Sequence, residues 1–112
     1  MSLLSITRLL AALALTQSAS FAVAADTPAG TGQKVYEQSC KGCHGGGIGG
    51  WFSGAPKTGD KELWAPLIEK GLPALFQSTL KGVGKMEPKG GCEDCTEDEI
   101  RAAVEYMADK SR

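Results

Sequence analysis

Apolar positions in this chain recur mostly at helical spacing, and no stretch alternates with the period of two that a half-buried strand needs. The pattern predicts an all-α domain. Its clearest element starts at Thr96, where Thr96 and Glu99 form a Thr-x-x-Glu capping box and Ile100, Ala103, Val104 and Met107 repeat at i, i+3, i+4, i+7. Glu97, Asp98 and Glu99 place negative charge at the positive end of that helix, each contributing roughly 0.3 to 1 kcal/mol. A first helix is predicted from about Pro28 or Thr31 to Cys40, with Gly32, Val35, Tyr36 and Ser39 on one face, the glycine permitting close approach of a neighbour. Asp60 can cap a further helix to about Lys70, with Gly71 as its stop, although Pro66 argues for a short or late-starting one. Leu72, Leu75, Phe76 and Leu80 mark another, ending at Gly82.

Two stretches break this rhythm. Residues 45–59 carry seven glycines and Pro56, a composition that interrupts regular structure and reads as a loop wrapped around something. Val83 to Cys95, with three glycines and Pro88, is the second irregular stretch.

The N-terminus follows a different logic. Arg8 is the one charge before Asp26, the apolar run Leu9 to Leu15 follows it, and small residues occupy positions 22–25, the order of a secretory signal peptide. Seven apolar residues fall well short of the roughly 20 that cross a hydrocarbon core, so stable membrane insertion is not expected. The small residues offer cleavage before Ala25 or before Asp26, and the second leaves residues 26–112 as one domain in the periplasm. Twelve basic against thirteen acidic residues give a net charge of -1, too weak a field to gather nucleic acid. With 112 residues and 6% aromatics the chain has little with which to build a core, so a cross-link, metal or cofactor is expected to stabilise it.

Cys40-Lys41-Gly42-Cys43-His44 supplies a candidate, because C-x-x-C-H is the attachment sequence for c-type haem. Two thiols three positions apart can each add to one vinyl group of a porphyrin, while the adjacent imidazole meets the iron. Two other readings use the same cysteines. A thioredoxin-like redox pair would need a strand before it and a βαβ unit around it, and neither is predicted. A zinc site completed by Cys92 and Cys95 would span a separation far from the usual ribbon spacing. Export, which places thiols in an oxidising compartment, and the histidine favour haem.

His44 is the only histidine, so it is the expected proximal ligand. Its other ring nitrogen needs an acceptor, for which the Pro56 carbonyl in the following loop is the candidate. Of the three methionines, Met1 leaves with the signal peptide and Met107 lies on the apolar stripe of the last helix. Met86, in an irregular loop, is the expected sixth ligand.

The order Gly32, Tyr36, C-x-x-C-H, Pro56, Met86 and a last helix bearing Tyr106 resembles class I cytochrome c. Residues 54–60 (Gly-Ala-Pro-Lys-Thr-Gly-Asp) with Trp64, and residues 86–95 ending in Cys92 and Cys95, are similar to the bacterial cytochrome c5 group. The resemblance covers nearly all of residues 26–112 and implies three to five helices wrapped around one covalently attached haem. It also implies a short disulfide between Cys92 and Cys95, and a crossing of the first and last helices with Gly32 at the contact and Tyr36 and Tyr106 beside it. The chain departs from that group in two places. Glu87 stands where the group has proline after the methionine, and residues 45–53 add a glycine-rich stretch containing Trp51 and Phe52.

A histidine and a methionine together saturate the iron and leave no open site for substrate, which describes a carrier of single electrons between redox proteins and not an enzyme. The competing expectation is a labile sixth site serving gas sensing or weak peroxidase chemistry. Lys81, Lys85 and Lys89 flank Met86 as a candidate docking patch, and Trp51 with Phe52 either covers the haem or, if exposed, forms a contact surface. A monomer or weak dimer is expected.

Overall fold

In the computed structural model, which describes residues 27–112, the first helix starts where the chain can satisfy its free amides. The segment read as a signal peptide, residues 1–25, lies outside the described residues. The Thr27 hydroxyl accepts a hydrogen bond from the Gly30 amide at 3.3 Å, and Pro28 occupies the first turn of α1 (Pro28–Val35), where a missing N–H costs nothing. After Val35 the helix widens into a π turn, Tyr36–Cys40, in which the Lys41 amide reaches back to the Tyr36 carbonyl. It then tightens into α2 (Lys41–His44), so the helix predicted to stop at Cys40 runs on through the C-x-x-C-H residues.

Residues 45–59 are not all loop, as their composition suggested, because Gly47–Ser53 form a helix, α3. Gly46 and Gly54, at φ +84° and +68°, bracket it, and the Gly50 and Gly54 amides donate to Gly46 and Gly50 at 3.3 and 2.9 Å. Glycine inside a helix costs about 1 kcal/mol relative to alanine, which is why the sequence argued against the element. Packing offsets that cost. Gly49 and Gly50 lie against the backbone carbonyls of Gly42 and Cys43, and a Cβ at Gly49 would collide with the first of these.

Asp60 caps α4 (Lys61–Glu69), its carboxylate accepting from the Leu63 amide at 3.1 Å. Pro66 sits inside this helix and does not shorten it. The carbonyl that loses a partner belongs to exposed Glu62, so water can replace the missing N–H. Helix α5 (Leu72–Lys81) is bounded by Gly71 and Gly82, both at positive φ, and α6 (Glu97–Lys110) carries the reciprocal capping box between Thr96 and Glu99. Between α5 and α6 lie an isolated antiparallel bridge, Val83 with Met86, and a short 3-10 turn, Pro88–Gly91.

Taking α1, the π turn and α2 as one rod, the described residues hold five helical bodies and no strand. Helix α1 crosses α6 at Gly32, where an added Cβ would run into the Ala102 backbone and meet Tyr106 Cβ at 3.1 Å. Beside that crossing the rings of Tyr36 and Tyr106 lie 5.4 Å apart. On the other flank of α6, Phe76, Ile100 and Val104 form a buried cluster against which Leu72, Leu75, Leu80, Cys92 and Cys95 pack. Burying each large side chain there contributes about 1.5 to 3 kcal/mol. Cys92 and Cys95 are joined by a disulfide. Near the C-terminus, buried Ser111 accepts from the Gly59 amide at 2.8 Å and donates to the Met107 carbonyl at 2.7 Å, which ties the loop after α3 to the end of α6.

Candidate functional site

The helix that ends at His44 and the loop that follows it are fastened together at three points. The Thr58 amide donates to the His44 carbonyl at 2.7 Å. His44 Nδ1 lies 2.9 Å from the Pro56 carbonyl oxygen, and because that oxygen can only accept, Nδ1 carries the proton. The Trp64 indole N–H, from the first turn of α4, donates to the Lys57 carbonyl at 2.9 Å. Trp64 is 5% exposed and His44 9%, their rings 6.3 Å apart, so the imidazole is buried in a fixed orientation with Nε2 as the ring nitrogen not engaged by Pro56. The Trp64 and Thr58 contacts were not read from the sequence, since both depend on the loop's path between α3 and α4.

His44 lines a cavity of about 490 Å³ between the C-x-x-C-H rod, α5, α6 and the loop after α5. Leu67, Leu75, Ile100, Val104 and Met107 give it apolar walls, and Cys40, Cys43 and Met86 line it as well. Cys40 and Cys43 are free thiols, the first half-buried and the second exposed. Burial, then the neighbouring Cys43, pushes the Cys40 thiol up from its ordinary value, so it remains protonated at neutral pH.

Met86 is half-buried and its backbone is closed in a tight turn: the Val83 amide donates to the Met86 carbonyl at 3.0 Å and the Met86 amide to the Val83 carbonyl at 2.8 Å. Gly82 makes this turn possible. It sits at φ +79°, and a Cβ there would lie 2.5 Å from the Met86 carbonyl oxygen. Of the three lysines around Met86, Lys85 donates from Nζ to the Phe52 carbonyl at 3.0 Å and Lys89 to the Cys95 carbonyl at 2.9 Å, while Lys81 ends α5. Trp51 and Phe52 are 78% and 65% exposed and do not cover the cavity.

The residues fit a porphyrin. The cavity falls within the roughly 300 to 1,000 Å³ usual for cofactor sites, is walled mainly by apolar side chains, and brings two free thiols, a tautomer-fixed imidazole and a thioether to one space. They do not fit the zinc alternative. Cys92 and Cys95 are bonded to each other, and among the described residues no three of His, Cys, Asp and Glu gather as a metal cluster.

Known proteins agree with this geometry. Residues 27–107 match the family model described as cytochrome c oxidase, cbb3-type, subunit III. The chain is similar to cytochrome c-555 of Chlorobaculum thiosulfatiphilum, 39% identical over 75% of this chain and 98% of the relative. It is also similar to cytochrome c5 of Azotobacter vinelandii, 38% identical over 70% of this chain and 92% of the relative. Among solved structures, one chain from an electron transfer complex of nitrite reductase with cytochrome c superposes with a TM-score of 0.67 and is 44% identical, covering 73% of this chain and 95% of that one. An all-helical fold, a cavity walled for a porphyrin and these likenesses lead to one assignment: the chain belongs to the class I c-type cytochromes, haem-bearing electron carriers that include cytochromes c5 and c-555.

Proposed function

We propose that this chain is an exported monohaem carrier whose iron is held between His44 and Met86. In this reading residues 1–25 are removed as a signal peptide, residues 26–112 form the periplasmic domain, and one haem c is attached through thioether bonds at Cys40 and Cys43. The haem supplies a one-electron iron couple. The protein's own residues do the rest. His44 contributes Nε2 as ligand, and Pro56, by accepting the Nδ1 proton, fixes the tautomer and raises the basicity of that nitrogen. Met86 contributes its thioether from a turn closed by two backbone hydrogen bonds. A soft sulfur ligand favours the reduced iron relative to two nitrogen ligands. The apolar walls would exclude water from the bound haem, and His44 and Met86, if both held the iron, would leave no open site for substrate. The Cys92–Cys95 bridge stiffens the segment between Met86 and α6.

The observation that carries this reading is the Nδ1 bond to Pro56, which leaves Nε2 as the free nitrogen of the one histidine lining a cavity that Met86 also lines. Donor and acceptor are other redox proteins. Likeness to a cytochrome c chain from a complex with nitrite reductase supports a carrier that docks transiently on larger oxidoreductases. The test is the protein matured in an export-competent host. Its mass should correspond to residues 26–112 plus one haem, and a redox titration should show a single one-electron wave. A mass without haem, or a colourless product, would contradict the proposal.

A further inference from the structure

Helix α3 presents Ile48, Trp51 and Phe52 to the outside at i, i+3, i+4 spacing, with exposures of 77%, 78% and 65%. The Trp51 and Phe52 rings meet edge to face at 4.8 Å, which joins them in one apolar projection. No acidic residue occurs from Gln38 to Gly59, whereas Lys41 and Lys57 lie against the glycines leading into α3 and Lys85 is bonded to the Phe52 carbonyl at its far end. The one hydroxyl of the helix, on Ser53, is already bonded to Gly50 and Ala55. What faces solvent is therefore an apolar knob with lysines at both ends of its helix.

The knob adjoins the cavity mouth. Ser53 and Gly54, which end the helix, line the cavity beside exposed Cys43, and Gly50 packs on the Cys43 carbonyl. From this we infer that α3 is a docking element for an acidic redox protein, its aromatic pair entering an apolar recess rimmed by carboxylates on the partner. The inference rests on the electron-carrier reading and assigns that reading an interface. Charge complementarity selects the occupant. A symmetric pairing with a second copy would set Lys41, Lys57 and Lys85 against themselves, a like-charge contact that costs affinity. A lipid surface would cover the cavity mouth with hydrocarbon and distance it from any electron donor. An acidic protein neutralises the lysines and brings its own redox centre to that mouth. Large aromatics at the centre of a desolvated contact carry most of the binding free energy, so Trp51 and Phe52 are the anchors.

The experiment uses the mature holoprotein, with plastocyanin as an acidic one-electron protein probe and hydroxymethylferrocene as a small neutral one. The Trp51→Ala/Phe52→Ala variant should exchange electrons with plastocyanin at least about tenfold more slowly and with hydroxymethylferrocene at the wild-type rate. Lys41→Glu/Lys57→Glu should slow the plastocyanin reaction at low salt and flatten its dependence on ionic strength. An Ile48→Ala variant, checked for an unchanged haem spectrum, should show a smaller loss of the same kind. Equal plastocyanin rates for wild type and the aromatic variant would overturn the proposal. So would α3-dependent flotation with phosphatidylglycerol vesicles, or an α3-dependent dimer. A wild-type protein that fails to exchange with hydroxymethylferrocene would count against the carrier reading itself.

Discussion

The two sides of the cavity are built differently. On the His44 side, three hydrogen bonds of 2.7 to 2.9 Å join helix, loop and α4 around an imidazole that is 9% exposed. On the Met86 side, a half-buried residue is held by a four-residue turn and a run of backbone in the left-handed region, Gly82, Gly84, Lys89, Gly90 and Gly91. The first is fixed by three hydrogen bonds involving the following loop and α4, the second by local backbone geometry and, beside it, the Lys85 bond to the Phe52 carbonyl. If His44 and Met86 both hold the iron, as proposed, the methionine should be the one to yield first under heat or competing ligands.

The sharpest way to separate the two sides is to remove the sulfur. Met86→Ala should convert a low-spin iron to a high-spin one that binds carbon monoxide while the haem stays attached, as judged by optical spectra and mass. A spectrum like that of the wild type would move the sixth ligand elsewhere. Next in size is Gly82→Ala. With a positive φ and a Cβ crowding the Met86 carbonyl, it should destabilise the turn by about 1 to 3 kcal/mol and make carbon monoxide compete with the methionine. Thermal melting and ligand titration on one sample would show both effects together, and stability lost without added ligand access would break the link between turn and sulfur.

Smaller effects test how local each side is. Cys92→Ser/Cys95→Ser opens a very short loop, so its cost is on the order of 2 kcal/mol at most, with faster amide exchange confined to the segment between Met86 and α6. Exchange spreading to the His44 loop would deny the separation. Trp64→Phe removes the indole donor to the Lys57 carbonyl and should cost about 1 kcal/mol, lowering the melting temperature by about 4 to 8 °C with no gain in carbon monoxide binding. Ligand access gained from that change would show that the histidine side is not the rigid one.

What the sequence revealed follows the same division. Elements whose cause is local were legible: the capping box at Thr96 and the Asp60 cap depend on hydrogen bonds three residues apart, and the helical periodicity of Leu72 to Leu80 needs no partner to be recognised. Cys40, Cys43 and His44 adjoin in the chain, so their meeting follows from it directly. Helix α3 escaped notice because glycine propensity speaks against it and only the backbone of α2 supplies the packing that holds it. The π turn, marked by the Lys41 amide reaching back to the Tyr36 carbonyl, has no residue pattern that announces it. Pro66 misled because a proline is weighed against the helix interior, whereas the carbonyl it orphans belongs to an exposed residue. The Lys85 to Phe52 bond joins residues 33 positions apart and becomes visible once α3 exists.

The most direct measurement is the optical spectrum of the export-matured ferrous protein before and after exposure to carbon monoxide. With His44 and Met86 both on the iron, the low-spin c-type spectrum should remain unchanged over the time a vacant site would need to fill. Prompt conversion to a carbon monoxide adduct would contradict that assignment and leave the chain with an open sixth position suited to sensing or catalysis.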